Sequence, residues 1–186
     1  MPLVDMRDML NHAYQNNYAI GGFGLVSLDF LEAIIMTAEF CRSPVILNLS
    51  EPLFRQHDFS LIMPAVERAA HHAKVPVAIH FDHAKAHESI VQAINLGCNS
   101  VMLDVSSEIF PVNITQTSRV TEIAHACGTA IEGILGFVGG MEGENAINNL
   151  GEVVYTSSEE AKVYVERTKI DFLAVSVGTI HGRQPN

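Results

Sequence analysis

Short apolar runs that end in small or polar residues alternate along this chain with amphipathic segments. The runs cover 19–23, 44–49, 77–81, 100–103, 129–135 and 171–177. Each is too short for a helix and is bounded by breakers, which predicts strands. Their apolar residues are nearly continuous, the pattern of parallel strands buried on both faces. Between them lie helical periods. Asp5 is placed to cap a helix to about Gln15, and Ser27 to cap one over 28–41, where Leu28, Leu31, Ile34, Ile35 and Ala38 share a face. Further helices are expected over 60–73, with Pro64 in the first turn, over 88–96 and over 113–127. Gly97 and Gly128 follow the last two and suit a left-handed C′ position. Ser157 and Glu160 have the spacing of a capping box that opens one more helix. Strand and helix alternate without a linker-like stretch, so residues 1–186 read as one α/β domain with a parallel sheet and right-handed crossovers. One connection, 137–156, is long and rich in Gly, Asn and acids; connections of that length are usually functional or mobile.

Composition narrows the classes. With 48% apolar and 17% charged residues and a mean hydropathy of +0.20, the chain has material for a core and is not disordered. Eleven Lys and Arg face 21 Asp and Glu, a net charge of −10 and a pI near 5.2. That balance argues against nucleic acid and anionic membranes as partners. No apolar run approaches the roughly 18 residues of a spanning helix, and the start MPLVDMRDML does not read as a signal peptide. Cys41, Cys98 and Cys127 are odd in number and widely spaced. They read as reduced, buried thiols of a cytosolic protein, and the lack of a CxxC pair argues against structural zinc.

Polar residues gather where a parallel sheet builds its sites, at the C-terminal ends of strands. Those ends carry Ser50-Glu51, His80-Phe81-Asp82-His83, Asp104, Glu132 and Thr179-Ile180-His181-Gly182. Strict alternation would send Asp82 to the face of His80 and His83 to the other; a turn at the strand end would bring both to the mouth. A neutral imidazole suits zinc and a neighbouring carboxylate suits proton transfer, while a solvated strand end is the plain alternative. His181, flanked by small residues, reads alone as an exposed loop histidine and together with His83 as part of a metal site. Glu142 follows Gly139-Gly140-Met141 in the long connection and reads either as a solvated acid or as a mobile general base. His12, His57, His71, His72, His87 and His125 read as structural or solvated. Gly21-Gly22-Phe23-Gly24 is only loosely like a phosphate cradle and lacks the Lys-Ser/Thr of a P-loop.

The segments AIGGF, SPVILNLSE, VPVAIHFDHA, IEGILGFVGGMEG, YTSSEEA and LAVSVGTIHG, in this order and spacing, resemble the metal-dependent class II ketose-bisphosphate aldolases across nearly the whole chain. The resemblance implies a zinc-dependent (β/α)₈ TIM barrel, of which this chain covers about the first six strands. It implies reversible cleavage of a ketose bisphosphate, such as fructose- or tagatose-1,6-bisphosphate, into dihydroxyacetone phosphate and an aldehyde, in a cytoplasmic homo-oligomer (dimer or tetramer) of glycolysis and carbohydrate metabolism. Carried over by position, His83 and His181 are zinc ligands, Asp82 moves the proton at the aldehyde carbonyl, and Glu142 is the base acting on the ketone phosphate. Ser50 and Gly182 contact substrate, Gly182 at a phosphate or a monovalent cation.

Two positions depart from that pattern. Ile134 stands where a second acid is usual after Glu132, although Asp104 matches the other acid of an alternate metal position. Gly24 stands where Asn is usual. A complete barrel takes about 250 residues, and the resemblance implies a third zinc histidine and two phosphate loops beyond Asn186. The competing readings are an inactive aldolase-like module that binds metal or sugar phosphate, and a Schiff-base aldolase, for which Lys85 comes closest.

Overall fold

The structure, a computed structural model, describes residues 2–136 and 155–179. Helix α1 (Met6–Gln15) precedes β1 (Gly21–Gly24), α2 (Leu28–Cys41), β2 (Val45–Ser50), α3 (Glu51–Gln56), α4 (Phe59–His72) and β3 (Val77–Ala84). Then come α5 (His87–Asn95), β4 (Ser100–Leu103), α6 (Phe110–Ala126), β5 (Ala130–Leu135), α7 (Ser158–Thr168) and β6 (Phe172–Val175). The six strands form one parallel sheet in the order β1-β2-β3-β4-β5-β6. Each strand lies beside its predecessor, with no reversal of order. This is the winding of a barrel rather than of a doubly wound sheet, and the strands form a partial (β/α)₈ barrel.

The caps explain the helix starts. Asp5 accepts from the Arg7 amide, Ser27 from Phe30, and Ser157 and Glu160 complete the capping box. Gly97 and Gly128 have φ of +100° and +73°, the left-handed backbone expected of them. Three boundaries differ from expectation. Asp58, not Ser60, caps α4, so Pro64 lies beyond the first turn and leaves the Ser60 carbonyl without its helical donor. Helix α6 starts at Phe110 because Pro111 sits in its first turn, where the missing N–H costs nothing. Helix α3 is an unexpected short turn; its Pro52 is likewise at the start.

Alternation along the strands sorts the core. Val45, Leu47, Leu49, Val77, Ile79, Phe81, Val101, Leu103 and Ile131 pack under the helices in the main cluster. The opposite face carries Ile46 and Ala78, which pack on Met6 and Met9 of α1. Helix α1 thus closes the N-terminal end of the sheet's inner face. Double-sided burial holds for the central strands and fails at the margins: β1 is exposed throughout and β6 ends exposed, because among the described residues each has one strand neighbour. The cysteines also divide. Cys98 is buried, whereas Cys41 and Cys127 are exposed, and all are free thiols. No described helix is long and apolar enough to cross a membrane.

Candidate active site

The inner face opens at the C-terminal ends of the strands into a cavity of about 330 Å³. Its wall includes Gly22, Asn48, His80, Asp82, His83, Met102, Glu132, Ile134 and Thr179, and Met6 is also part of it. The residues that reach it do so by strand register. Asn48 lies beside His80, and Ser50 beside Asp82; Met102 lies beside Glu132.

A bulge resolves the problem of Asp82 and His83. Phe81 pairs with Val101 and Ala84 with Leu103, so Asp82 and His83 together stand opposite Met102 alone. His83 has φ of +50°, a left-handed conformation in a non-glycine residue. The extra residue breaks alternation, and both side chains line the cavity. Left-handed backbone at a non-glycine residue carries a conformational cost of about 1–3 kcal/mol, which the flanking strands must offset.

His83 Nδ1 lies 2.9 Å from Asp104 Oδ2. Asp104 is anchored in turn: its Oδ1 accepts from the Ser106 hydroxyl at 2.7 Å and amide at 3.2 Å. Burial pushes the Asp104 carboxyl up, but the bonds from His83 and Ser106 outweigh it and hold the group at about 2. A carboxylate there keeps the proton on Nδ1 and turns Nε2 toward the cavity as a lone-pair donor. Asp82 Oδ1 is 4.0 Å from that Nε2. A carboxylate holding the far nitrogen of an imidazole is the usual support of a metal-binding histidine, so His83 fits the role of a ligand. Among the described residues no three His, Cys, Asp or Glu form a set that could hold a metal alone. His181, Gly182 and Glu142 lie outside the described residues.

The remaining acids differ in character. Asp82 is partly buried, which raises its pKa, but His80 and His83 beside it outweigh that and hold it below the usual range. Glu132 is pushed above it by burial, which the attraction of His80 and His83 does not cancel and to which Asp82 adds a smaller repulsion. One carboxylate is thereby kept ionised while its neighbour takes up a proton more readily.

Two residues were given no role by sequence reasoning. His80 is 3% exposed; its Nδ1 meets Ser100 Oγ at 2.8 Å. Its Nε2 lies 3.4 Å from Glu132 Oε2 and 3.7 Å from Asp82 Oδ1, too long for good hydrogen bonds to either. With Ser100 donating to Nδ1, the Nε2 proton sits between the two acids. The period of two in His80-Phe81-Asp82 was the available signal. The other is Asn48, a lone amide in an apolar strand on the face of Ile46; its Nδ2 donates to Asp82 Oδ2 at 3.3 Å.

Ser50 ends β2 next to Asp82 in register but does not line the cavity. Glu51 turns away from it: its buried carboxylate accepts from the Lys85 amide at 2.8 Å and the Ser89 hydroxyl at 2.7 Å, tying α3 to the segment after the bulge. Lys85 and the other three lysines are exposed, unlike the desolvated amine of a Schiff-base enzyme. His125 bonds Asp171 at 3.0 Å, and His12 meets Tyr18 at 2.9 Å, both structural contacts away from the cavity.

The family profile described as fructose-bisphosphate aldolase class-II matches residues 4–186. A probable fructose-bisphosphate aldolase of Bacillus subtilis is 42% identical over 185 residues, 98% of this chain and 64% of that protein. A fructose-bisphosphate aldolase of Thermus caldophilus is 40% identical over 180 residues, 97% of this chain and 58% of that one. The chain therefore spans about three fifths of the length of these curated relatives. Among solved structures, the YdjI aldolase from Escherichia coli K12 superposes with a TM-score of 0.85 at 32% identity, covering 96% of this chain and 63% of that one.

Proposed function

The chain belongs to the class II fructose-bisphosphate aldolase family, and from that premise we propose that it carries the proton-transfer and metal-orienting part of a ketose-bisphosphate aldolase. The reaction is the reversible cleavage of a substrate such as fructose- or tagatose-1,6-bisphosphate into dihydroxyacetone phosphate and an aldehyde. The observation that carries this reading is the bulge that turns Asp82 and His83 into one cavity, with His83 fixed from behind by Asp104.

His83, with His181, would hold a zinc ion, whose chemistry when bound is to polarise the substrate carbonyl. In the cleavage direction Asp82, held ionised, accepts the proton of the C4 hydroxyl as the C3–C4 bond breaks. In the condensation direction Glu142 removes a proton from the hydroxymethyl carbon of dihydroxyacetone phosphate, and Asp82 protonates the new alkoxide. Gly182 contacts the substrate at a phosphate or a monovalent cation, and Ser50, outside the cavity wall but beside Asp82 in register at the end of β2, would contact it from the rim. The same reading gives a cytoplasmic homo-oligomer.

The test is a coupled cleavage assay on zinc-loaded protein, with chelation and with Asp82→Ala. Chelator should abolish turnover and zinc restore it. Asp82→Ala should lower turnover by orders of magnitude with zinc content unchanged; equal turnover in that variant defeats the assigned role. A second reading is a binding module without turnover. It predicts zinc and dihydroxyacetone phosphate binding with no cleavage.

A further inference from the structure

Asn48 is the residue of the cavity whose chemistry is unfinished. It lies on β2 between Gly24 of β1 and His80 of β3 in register. Its amide leans over Gly22: a methyl group built there would stand 3.1 Å from Nδ2 and 3.3 Å from Oδ1. At Gly24 a methyl group would meet nothing within 4 Å. The β1 side of the cavity is therefore bare backbone, and Asn48 supplies its polar side chain. The nitrogen must face Asp82, because two oxygens would repel; it donates to Oδ2 at 3.3 Å. That orientation leaves the buried Oδ1 without a hydrogen-bond partner among the described residues. A buried acceptor left unpaired is costly, and such groups in native structures ask for an explanation.

We infer that Asn48 positions Asp82 through its amide nitrogen and binds a substrate hydroxyl through its amide oxygen. The inference rests on the aldolase reading. The missing donor is one that a ligand brings, an O–H: His80 Nε2, on the neighbouring strand in register, makes no hydrogen bond to Oδ1 among the described residues, and Asp82 and Glu132 of the same cavity are acids. The hydroxyl belongs to a polyol or sugar phosphate, adjacent to the one whose proton Asp82 takes. Fixing Asp82 Oδ2 from one side leaves its Oδ1, which faces His80 and His83, as the oxygen free to move the proton.

Two variants separate the roles. Asn48→Asp keeps size and the acceptor but replaces the donor to Asp82 with an oxygen that repels it; kcat should fall with KM near wild type. Asn48→Ala removes both contacts, so kcat should fall and KM rise, lowering kcat/KM by about 10- to 100-fold. Zinc content should match wild type in both and the thermal midpoint should match in Asn48→Ala, which a merely structural role would not leave unchanged. Dihydroxyacetone phosphate titrated calorimetrically into zinc-loaded protein should bind more weakly to Asn48→Ala. A kcat/KM within threefold of wild type, or losses that only follow loss of folded or zinc-loaded protein, overturns the inference. If wild type neither binds nor cleaves sugar phosphate, the parent reading falls and takes this one with it. If wild type binds and cleaves while Asn48→Ala is unchanged, only the role of Asn48 falls.

Discussion

Replacing Asp104 by Asn keeps its shape and removes the charge that orients His83. In the folded protein this carboxyl titrates at about 2 against an ordinary 3.8. The group is largely buried, with 15% of its side chain exposed, so the difference translates with little screening into about 2 kcal/mol of stability at neutral pH. The sign follows from the direction. A depressed folded-state value means the stabilisation is present above about pH 4 and fades as pH falls toward 2. Urea unfolding of chelator-treated wild type and Asp104→Asn should therefore differ by about 2 kcal/mol at pH 7 and by roughly half of that near pH 3. The same variant should bind zinc about 10- to 100-fold more weakly, because His83 loses the partner that fixes its Nδ1 proton. A stability difference that stays constant across this range, together with unchanged zinc affinity, would refute the orientation of His83 by Asp104.

His80→Ala removes the N–H between Asp82 and Glu132; turnover should fall about 10-fold or more while zinc content, measured by atomic absorption, stays at wild type. A variant with wild-type turnover would make His80 a packing residue only. The thiols give a check on the fold: burial pushes Cys98 up to about 12, whereas Cys41 and Cys127 are exposed. An aromatic disulfide reagent at pH 8 should titrate two thiols in the native protein and the third only on unfolding; three fast thiols would contradict the packing of Cys98.

Much of this architecture was legible because local and tertiary preferences agree. The Ser157 capping box, the Asp5 and Ser27 caps and the two left-handed glycines all stand where the residue pattern puts them. The misplaced boundaries come from competing caps: Asp58 lies just ahead of Ser60, and Pro111 is read as a helix start once Phe110 packs against Tyr164. The exposure of β1 was not legible, since burial of a strand depends on what lies beside it. In the site, the Asp82-His83 pair was visible as an unusual strand end, but its geometry rests on a bulge opposite Met102 that no local pattern announces. The bond from Asp104 to His83 spans 21 residues and two strands, and the sequence offered Asp104 only as a strand-end acid. Asn48 was overlooked although a single amide among Val45, Ile46, Leu47 and Leu49 is a polar group in an apolar strand that asks for a partner.

The central claim is that His83 presents Nε2 to a metal beside Asp82. Crystals of zinc-loaded protein, with data collected at the zinc absorption edge, test it directly. The account predicts an anomalous peak about 2.0–2.1 Å from His83 Nε2, on the cavity side, that vanishes in His83→Ala. A peak elsewhere, or one that persists at full height in His83→Ala, would contradict it.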